Sequence, residues 1–218
     1  MTITPAPPAE SGSGARLLFR FLLAIDIQGY SARPPRLQLQ AQQVLQESIE
    51  AAAAAAGLDR GLWLQQVSGD GELAVLPGDA DIVTAIGVFA PALERALAEA
   101  NRREARHPRV RVRLSFHHGA LIMGRPASLG PAGDAPVVVS RLLDARPLRR
   151  HLDCRPERNV ALIVSDQVFR EVVCSGFCAL SPRHFQPTRT TVKGMVYTGY
   201  IYDPDRAEGA ASDGEKPR

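Results

Sequence analysis

The 218-residue sequence predicts one α/β domain of the α+β kind, a mixed sheet with helices packed on it. Three observations predict it. Short apolar runs bounded by turn residues alternate with longer segments of helical period. Two pairs of strands are joined by tight glycine-bearing turns, Ser68-Gly69-Asp70-Gly71 and Lys193-Gly194. No segment repeats another, and no apolar run approaches the roughly 20 residues that span a bilayer.

The elements follow in order. Residues 17–25 (LLFRFLLAI) form a short apolar run ending at Asp26 and read as a buried strand. Pro34-Pro35 then interrupt the chain. Leu37, Val44, Leu45, Ile49 and Ala52 recur at helical spacing, so 37–56 reads as a helix with Gly57 past its end. Residues 62–67 and 72–76 flank the Ser68–Gly71 turn as a hairpin. Residues 79–103 read as an amphipathic helix opened by aspartate and closed by arginines. Residues 109–117 (RVRVRLSFH) alternate basic with apolar side chains, which is the period of a strand with its arginine row in solvent. A Gly/Pro-rich loop leads to a helix over 135–145. A strand over 159–164 follows, then a helix over 165–174 with Ser165 as N-cap and Asp166 in its first turn. Strands at 190–192 and 196–202 close the domain. This order suggests a ferredoxin-like mixed sheet. The domain is expected over 16–204, with Pro/Ser/Gly-rich residues 1–15 and polar residues 205–218 as disordered tails.

Composition narrows the function. Hydrophobic residues make up 45% and charged residues 22%, ordinary for a soluble globular protein. A net charge of +3 is too weak to argue for nucleic acid, and none is expected as a partner. With no secretory signal or membrane span in view, the expected location is the cytoplasm, away from the membrane. Cys154, Cys174 and Cys178 are an odd count that opposes a disulfide framework, and Cys174 and Cys178 read as small buried hydrophobes. The basic residues are nearly all arginine. The only lysines are Lys193 and Lys216, so Lys193 stands alone inside the expected domain.

Asp26 ends the first strand and Asp70 sits in a glycine-bounded turn. If that strand lies beside the hairpin, the two carboxylates converge and repel unless a cation sits between them. Hard oxygen donors with phosphate oxygens suit Mg²⁺ or Mn²⁺. Two ordinary turn aspartates would read the same way.

Five motifs resemble those of class III adenylyl and guanylyl cyclases, in the family's order, from about residue 17 to residue 202. They are Asp26-Ile27-Gln28-Gly29-Tyr30-Ser31, Ser68-Gly69-Asp70-Gly71-Glu72-Leu73, Phe116-His117-His118-Gly119, Gly133 with Val137-Val138-Val139-Ser140-Arg141, and Val192-Lys193-Gly194. The resemblance implies that Asp26, Asp70 and the carbonyl of Ile27 hold two metal ions. It implies that Arg141 stabilises charge on the α-phosphoryl group and that Lys193 binds the terminal phosphates. Gly29, Tyr30 and Gln66 join Lys193 in the nucleotide-binding set. The metal and the cationic residues come from different subunits in this family, so a homodimer, or a heterodimer with a related chain, is implied. The expected ligand is a nucleoside triphosphate, and the expected products are a 3′,5′-cyclic nucleotide and pyrophosphate. Three positions depart from the pattern. Gln66 and Gly130 stand where adenylyl cyclases read the base. Val137 stands where the family places a ribose-orienting asparagine, and valine cannot hydrogen-bond. These departures support an alternative, a degenerate homologue that senses nucleotide or serves as an interaction module.

Overall fold

The computed structural model describes residues 15–124 and 130–206. The tail residues 1–14 and 207–218 lie outside them. The elements are β1 (Arg16–Ile27), α1 (Pro35–Ala55), β2 (Leu64–Val67), β3 (Gly71–Val75), α2 (Ile82–Thr84), α3 (Ala90–Arg103), β4 (Val112–Met123), β5 (Pro131–Ala132), α4 (Asp134–Leu143), α5 (Arg146–Asp153), β6 (Val160–Ser165), α6 (Asp166–Glu171), β7 (Phe185–Val192) and β8 (Met195–Tyr202). They build one mixed sheet in the order β2-β3-β1-β4-β6-β8-β7, with β5 on β4. The β4–β6 pair is parallel and the others are antiparallel. The α+β fold is the one the element pattern predicts.

The central strands are buried on both faces along much of their length because helices cover both, whereas the edge strands β2 and β7 are largely exposed. On one face, Leu23, Ile25, Leu114, Phe116 and Val164 pack under α1, α3 and α6. On the other, Leu22, Ala24 and Leu121 lie beneath Ala135, Val139 and Leu143 of α4, and Ala161, Ile163 and Ile201 beneath Leu148 and Leu152 of α5. Each of the larger side chains among them (Leu, Ile, Val, Phe) contributes about 1.5–3 kcal/mol by leaving water. Central β1 therefore reads as a continuous apolar run rather than an alternating one.

Several expectations are corrected. Helical structure begins at Ile82 rather than 79, capped by Asp81, whose carboxylate accepts from the Thr84 amide at 3.1 Å. A π-helical turn (Ala85–Phe89) interrupts it, where a Cβ on Gly87 would meet the Ala179 nitrogen at 3.0 Å. β4 runs on to Met123, so the His117-His118-Gly119 motif lies within the strand. β7 starts at Phe185, five residues before the expected start. The segment after residue 145, read without an element, forms α5, with Pro147 tolerated in its first turn. Cys174 is exposed and Cys178 half-buried. Past residue 204, Asp205 accepts from Arg158, and Arg206 donates to the Phe185 carbonyl at 2.6 Å.

The arginine row of β4 is not a solvated face. Arg109 donates to the carbonyl of Pro156 and to Asn159 Oδ1. Arg111 gathers the carbonyls of Leu152, Arg155 and Arg158, and Arg113 pairs with Asp26. Arg109 and Arg111 tie the strand to carbonyls of the segment between α5 and β6, and Arg113 neutralises a carboxylate, roles that alternation alone does not reveal.

Candidate functional site

Asp26 stands at the end of the buried run of β1. The pleat puts it on the α4 face, in line with Leu22 and Ala24. In register it lies opposite Gly71 of β3 and Arg113 of β4. Gly71 has no alternative, since a Cβ there would sit 2.0 Å from the Ile25 carbonyl oxygen. That close approach brings the hairpin turn against the strand end, where the buried Ile27 donates its amide to the Asp70 carbonyl at 2.7 Å. Asp70 is exposed, and its carboxylate accepts from Ser68 Oγ at 3.3 Å.

Gly29, at φ 66, turns the chain toward Tyr30. The Tyr30 hydroxyl accepts from Gln42 Nε2 at 2.6 Å, and the same nitrogen donates to the Gly69 carbonyl at 2.6 Å. Tyr30 and α1 thereby hold the aspartate-bearing turn in place.

The Asp26 carboxylate is gripped by Arg113, whose Nε donates to Oδ1 at 2.8 Å while Nη2 holds Oδ2. Even so, its pKa is raised from 3.8 to about 6. Burial pushes it up, Arg113 pulls it back, and Asp144 and Asp70 push it further. Arg113 is divided between two acids, with Asp144 3.8 Å from its Nη1, and Asp144 is also held by Arg149 at 2.6 Å. Asp26 is thus a largely buried carboxylate whose one guanidinium partner does not offset its burial. Among the described residues, no three His, Cys, Asp or Glu side chains cluster as a metal site. The oxygen donors at this end are the carboxylates of Asp26 and Asp70 beside the Ile27 backbone. A carboxylate offers about four lone-pair directions, so the Arg113 fork leaves acceptor capacity on Asp26 for a hard divalent cation.

On the same face, Gln66 of β2 is paired with Leu73, which is paired with Ala24. A Cβ on Gly130, at φ 75, would lie 3.0 Å from Gln66 Oε1. The two positions that depart from the cyclase pattern in base recognition are therefore neighbours. His117 lies under α4, bonded through Nδ1 to Ser165 Oγ at 2.9 Å, and burial lowers its pKa to about 4. A Cβ on Gly119 would meet His117 Nε2 at 2.9 Å and Ala135 Cβ at 3.1 Å, so the glycine admits α4 to the sheet.

Arg141 and Val137 lie one turn apart on α4. Ala135, Val139 and Leu142 face the sheet, which turns positions 137 and 141 away from it. Val137 is 45% exposed, and Arg141 has no ion pair among the described residues.

Lys193 is exposed in the two-residue turn between β7 and β8, with φ 50, the only described non-glycine residue at positive φ. It is far from Asp26. Leu23, Phe116, Val164 and Tyr200 share one level across the sheet. Asp26 lies three residues below that level and Lys193 seven residues above it, ten in all, or roughly 33 Å of strand. One chain does not bring Asp26 and Lys193 together. Arg113 was missed because its alternation pattern is that of a solvated strand. Its signal lay in the register, which places it directly opposite Asp26.

No protein-family profile matches the sequence, and no curated protein sequence does. Solved structures match in fold. The guanylyl cyclase Cya2 has 12% identity and a TM-score of 0.63, over 87% of this chain and 93% of that one. An adenylate/guanylate cyclase/hydrolase from Silicibacter pomeroyi has 22% and 0.62, over 88% and 99%. The adenylyl cyclase CyaB from P. aeruginosa has 14% and 0.58, over 89% and 99%. The chain has the fold of adenylyl and guanylyl cyclase domains, as its motifs led one to expect.

Proposed function

We propose that this chain is a nucleotidyl cyclase-like domain that binds a nucleoside triphosphate with Mg²⁺ or Mn²⁺ at the interface of a dimer. The observation that supports the proposal is the packing of the Asp70 turn against the strand end that carries Asp26, on a cyclase fold whose α4 face also presents Gln66 beside Gly130. Asp26, Asp70 and the Ile27 carbonyl would hold the metal, which when bound activates a ribose 3′ hydroxyl and neutralises the phosphate it attacks. Arg141 would bind the α-phosphoryl oxygens and Lys193 the terminal phosphates, leading to a cyclic nucleotide and pyrophosphate.

The roughly 33 Å of strand between Asp26 and Lys193 supports a dimer, since a second chain packed head to tail would supply the cations the first lacks. The lysine's conformation supports a functional role. A non-glycine residue in the left-handed region costs about 1–2 kcal/mol, and glycine would fill this turn without that cost.

Incubating the purified protein with each of the four ribonucleotides and Mn²⁺, with mass spectrometry of products and calorimetry of binding, tests this reading. Failure to bind any triphosphate sinks it. Mixing Asp26→Ala with Lys193→Ala protein tests the shared site, because random exchange should restore about a quarter of wild-type sites.

A second reading rests on Val137. It stands exposed beside Arg141, where a ribose-orienting polar group would be needed, and losing such a positioning contact costs on the order of 100-fold in rate. A chain that binds triphosphate tightly without forming product fits this reading, and the same incubation distinguishes the two.

A further inference from the structure

Outside the nucleotide site, α5 and β7 enclose a groove of about 480 Å³, within the usual range for small-molecule pockets. Its helical wall carries Arg146, Arg150 and His151, and Arg155 follows just past the helix. Among the described residues, the only acid in the lining is Asp203, already paired with Arg155. Arg146 and Arg150 are exposed, four residues apart on the helix, and have no ion pair among the described residues. Like charges at that spacing destabilise a helix, so the arrangement lacks an anion. Arg155 is incompletely satisfied as well, because its Nε is buried with no acceptor among the described residues.

We propose that this groove binds a small, multiply charged phosphate ligand, of the size of pyrophosphate or a nucleotide, at a site separate from that of Asp26 and Lys193. Planar guanidiniums grip phosphate oxygens bidentately, and three of them line one concave wall. The opposite wall argues against a strand-adding acidic peptide. It is formed by Gln186, Pro187 and Thr188 of edge strand β7, and Pro187 has no amide to offer a new strand. Concavity argues against an extended polyanion.

The groove contains its own reporter. Cys154 is exposed in its lining, whereas Cys174, also exposed, is not part of it. The full chain is treated with iodoacetamide with and without inorganic pyrophosphate in metal-free buffer, and labelling of each cysteine is followed by peptide mass spectrometry. At a free concentration about ten times its dissociation constant, pyrophosphate should slow Cys154 labelling roughly tenfold and leave Cys174 unchanged. Protection should vanish in the Arg146→Gln/Arg150→Gln variant, whose exposed substitutions leave the core intact, and persist in Lys193→Ala. Three results overturn the proposal: no protection, protection retained by the double variant, or protection only by an acidic peptide. Protection lost in Lys193→Ala overturns it too, since the anion would then belong to the nucleotide site. The experiment does not require cyclase activity, so its outcome is independent of that reading.

Discussion

Two arginine–carboxylate forks lie one register position apart on opposite faces of the sheet, Arg60–Glu72 on one and Arg113–Asp26 on the other. Arg60 spends its donors on Glu72 at 3.0 and 2.6 Å, Glu50 at 2.7 Å and Gln46 at 2.7 Å, and lies over the Trp63 ring. Glu72 is fully buried and balanced. Arg113 is shared between Asp26 and Asp144, with Asp70 close by, and Asp26 remains hard to ionise. The difference separates a charge that the fold itself neutralises from one that the proposed metal site would use. The first is neutralised within the fold, whereas the second is buried at a cost the fold does not offset.

The largest expected effect breaks the structural fork. Glu72→Ala leaves Arg60 buried without its main partner and should destabilise by about 3–5 kcal/mol in urea unfolding. A loss below about 1 kcal/mol would show that Glu50 and Gln46 suffice and that the two forks do not differ in kind.

The opposite sign is expected at Asp26. In metal-free buffer its raised pKa makes stability fall as pH climbs from about 4 to about 6, because the unfolded chain gives up its proton first. Below that window the cost is absent. Above it the cost is about 3 kcal/mol at most, for a shift of roughly two units. Asp26→Asn should flatten this dependence and raise stability at pH 7, while Mn²⁺-dependent nucleotide binding is lost. A less stable variant at pH 7 would group Asp26 with Glu72 as a structural acid.

Lys193 extends the comparison to a cation with no ion pair among the described residues. Lys193→Gly relieves the positive φ and should stabilise the hairpin by up to about 1 kcal/mol. Triphosphate affinity should nevertheless drop roughly 10- to 100-fold, with monophosphate affinity little changed, because a charged hydrogen bond is worth about 1.5–3 kcal/mol. Equal loss for both nucleotides would show the lysine serving its loop.

The smallest effect is at Val137. If orientation of the ribose is what the site lacks, Val137→Asn should raise turnover roughly two- to tenfold with unchanged affinity, the worth of one hydrogen bond of about 0.5–1.5 kcal/mol. The gain should disappear in an Asp26→Ala background. Brisk turnover by the wild type would mean that another group orients the ribose.

Much of the fold was legible residue by residue. The apolar run ending at Asp26, the glycine-bounded turn at Asp70, the Ser165 cap and the lysine–glycine turn are each marked by local residue chemistry, namely apolar composition, turn-forming glycines (Gly194 at φ 80) and N-terminal capping. α5 was not legible, because RPLRRHLD shows only two apolar positions, Leu148 and Leu152, whose value comes from the sheet beneath them. Arg113, Arg60 and Glu72 were also hidden. A charged residue looks the same in sequence whether it faces water or a buried partner many residues away.

The sequence by itself determined most of the order of elements (α5 and the short β5 excepted), the two tight turns and the chemical identity of the residues that resemble a cyclase site, since these depend on neighbours a few positions apart. Tertiary structure alone decided that the Asp70 turn packs against the strand end carrying Asp26, that Arg113 faces Asp26, and that Lys193 lies at the opposite end of the sheet. The physical reason is strand register. Shifting β1 by one residue against β3 and β4 would turn Asp26 to the other face, and the pairing that prevents it is held by contacts across the whole core.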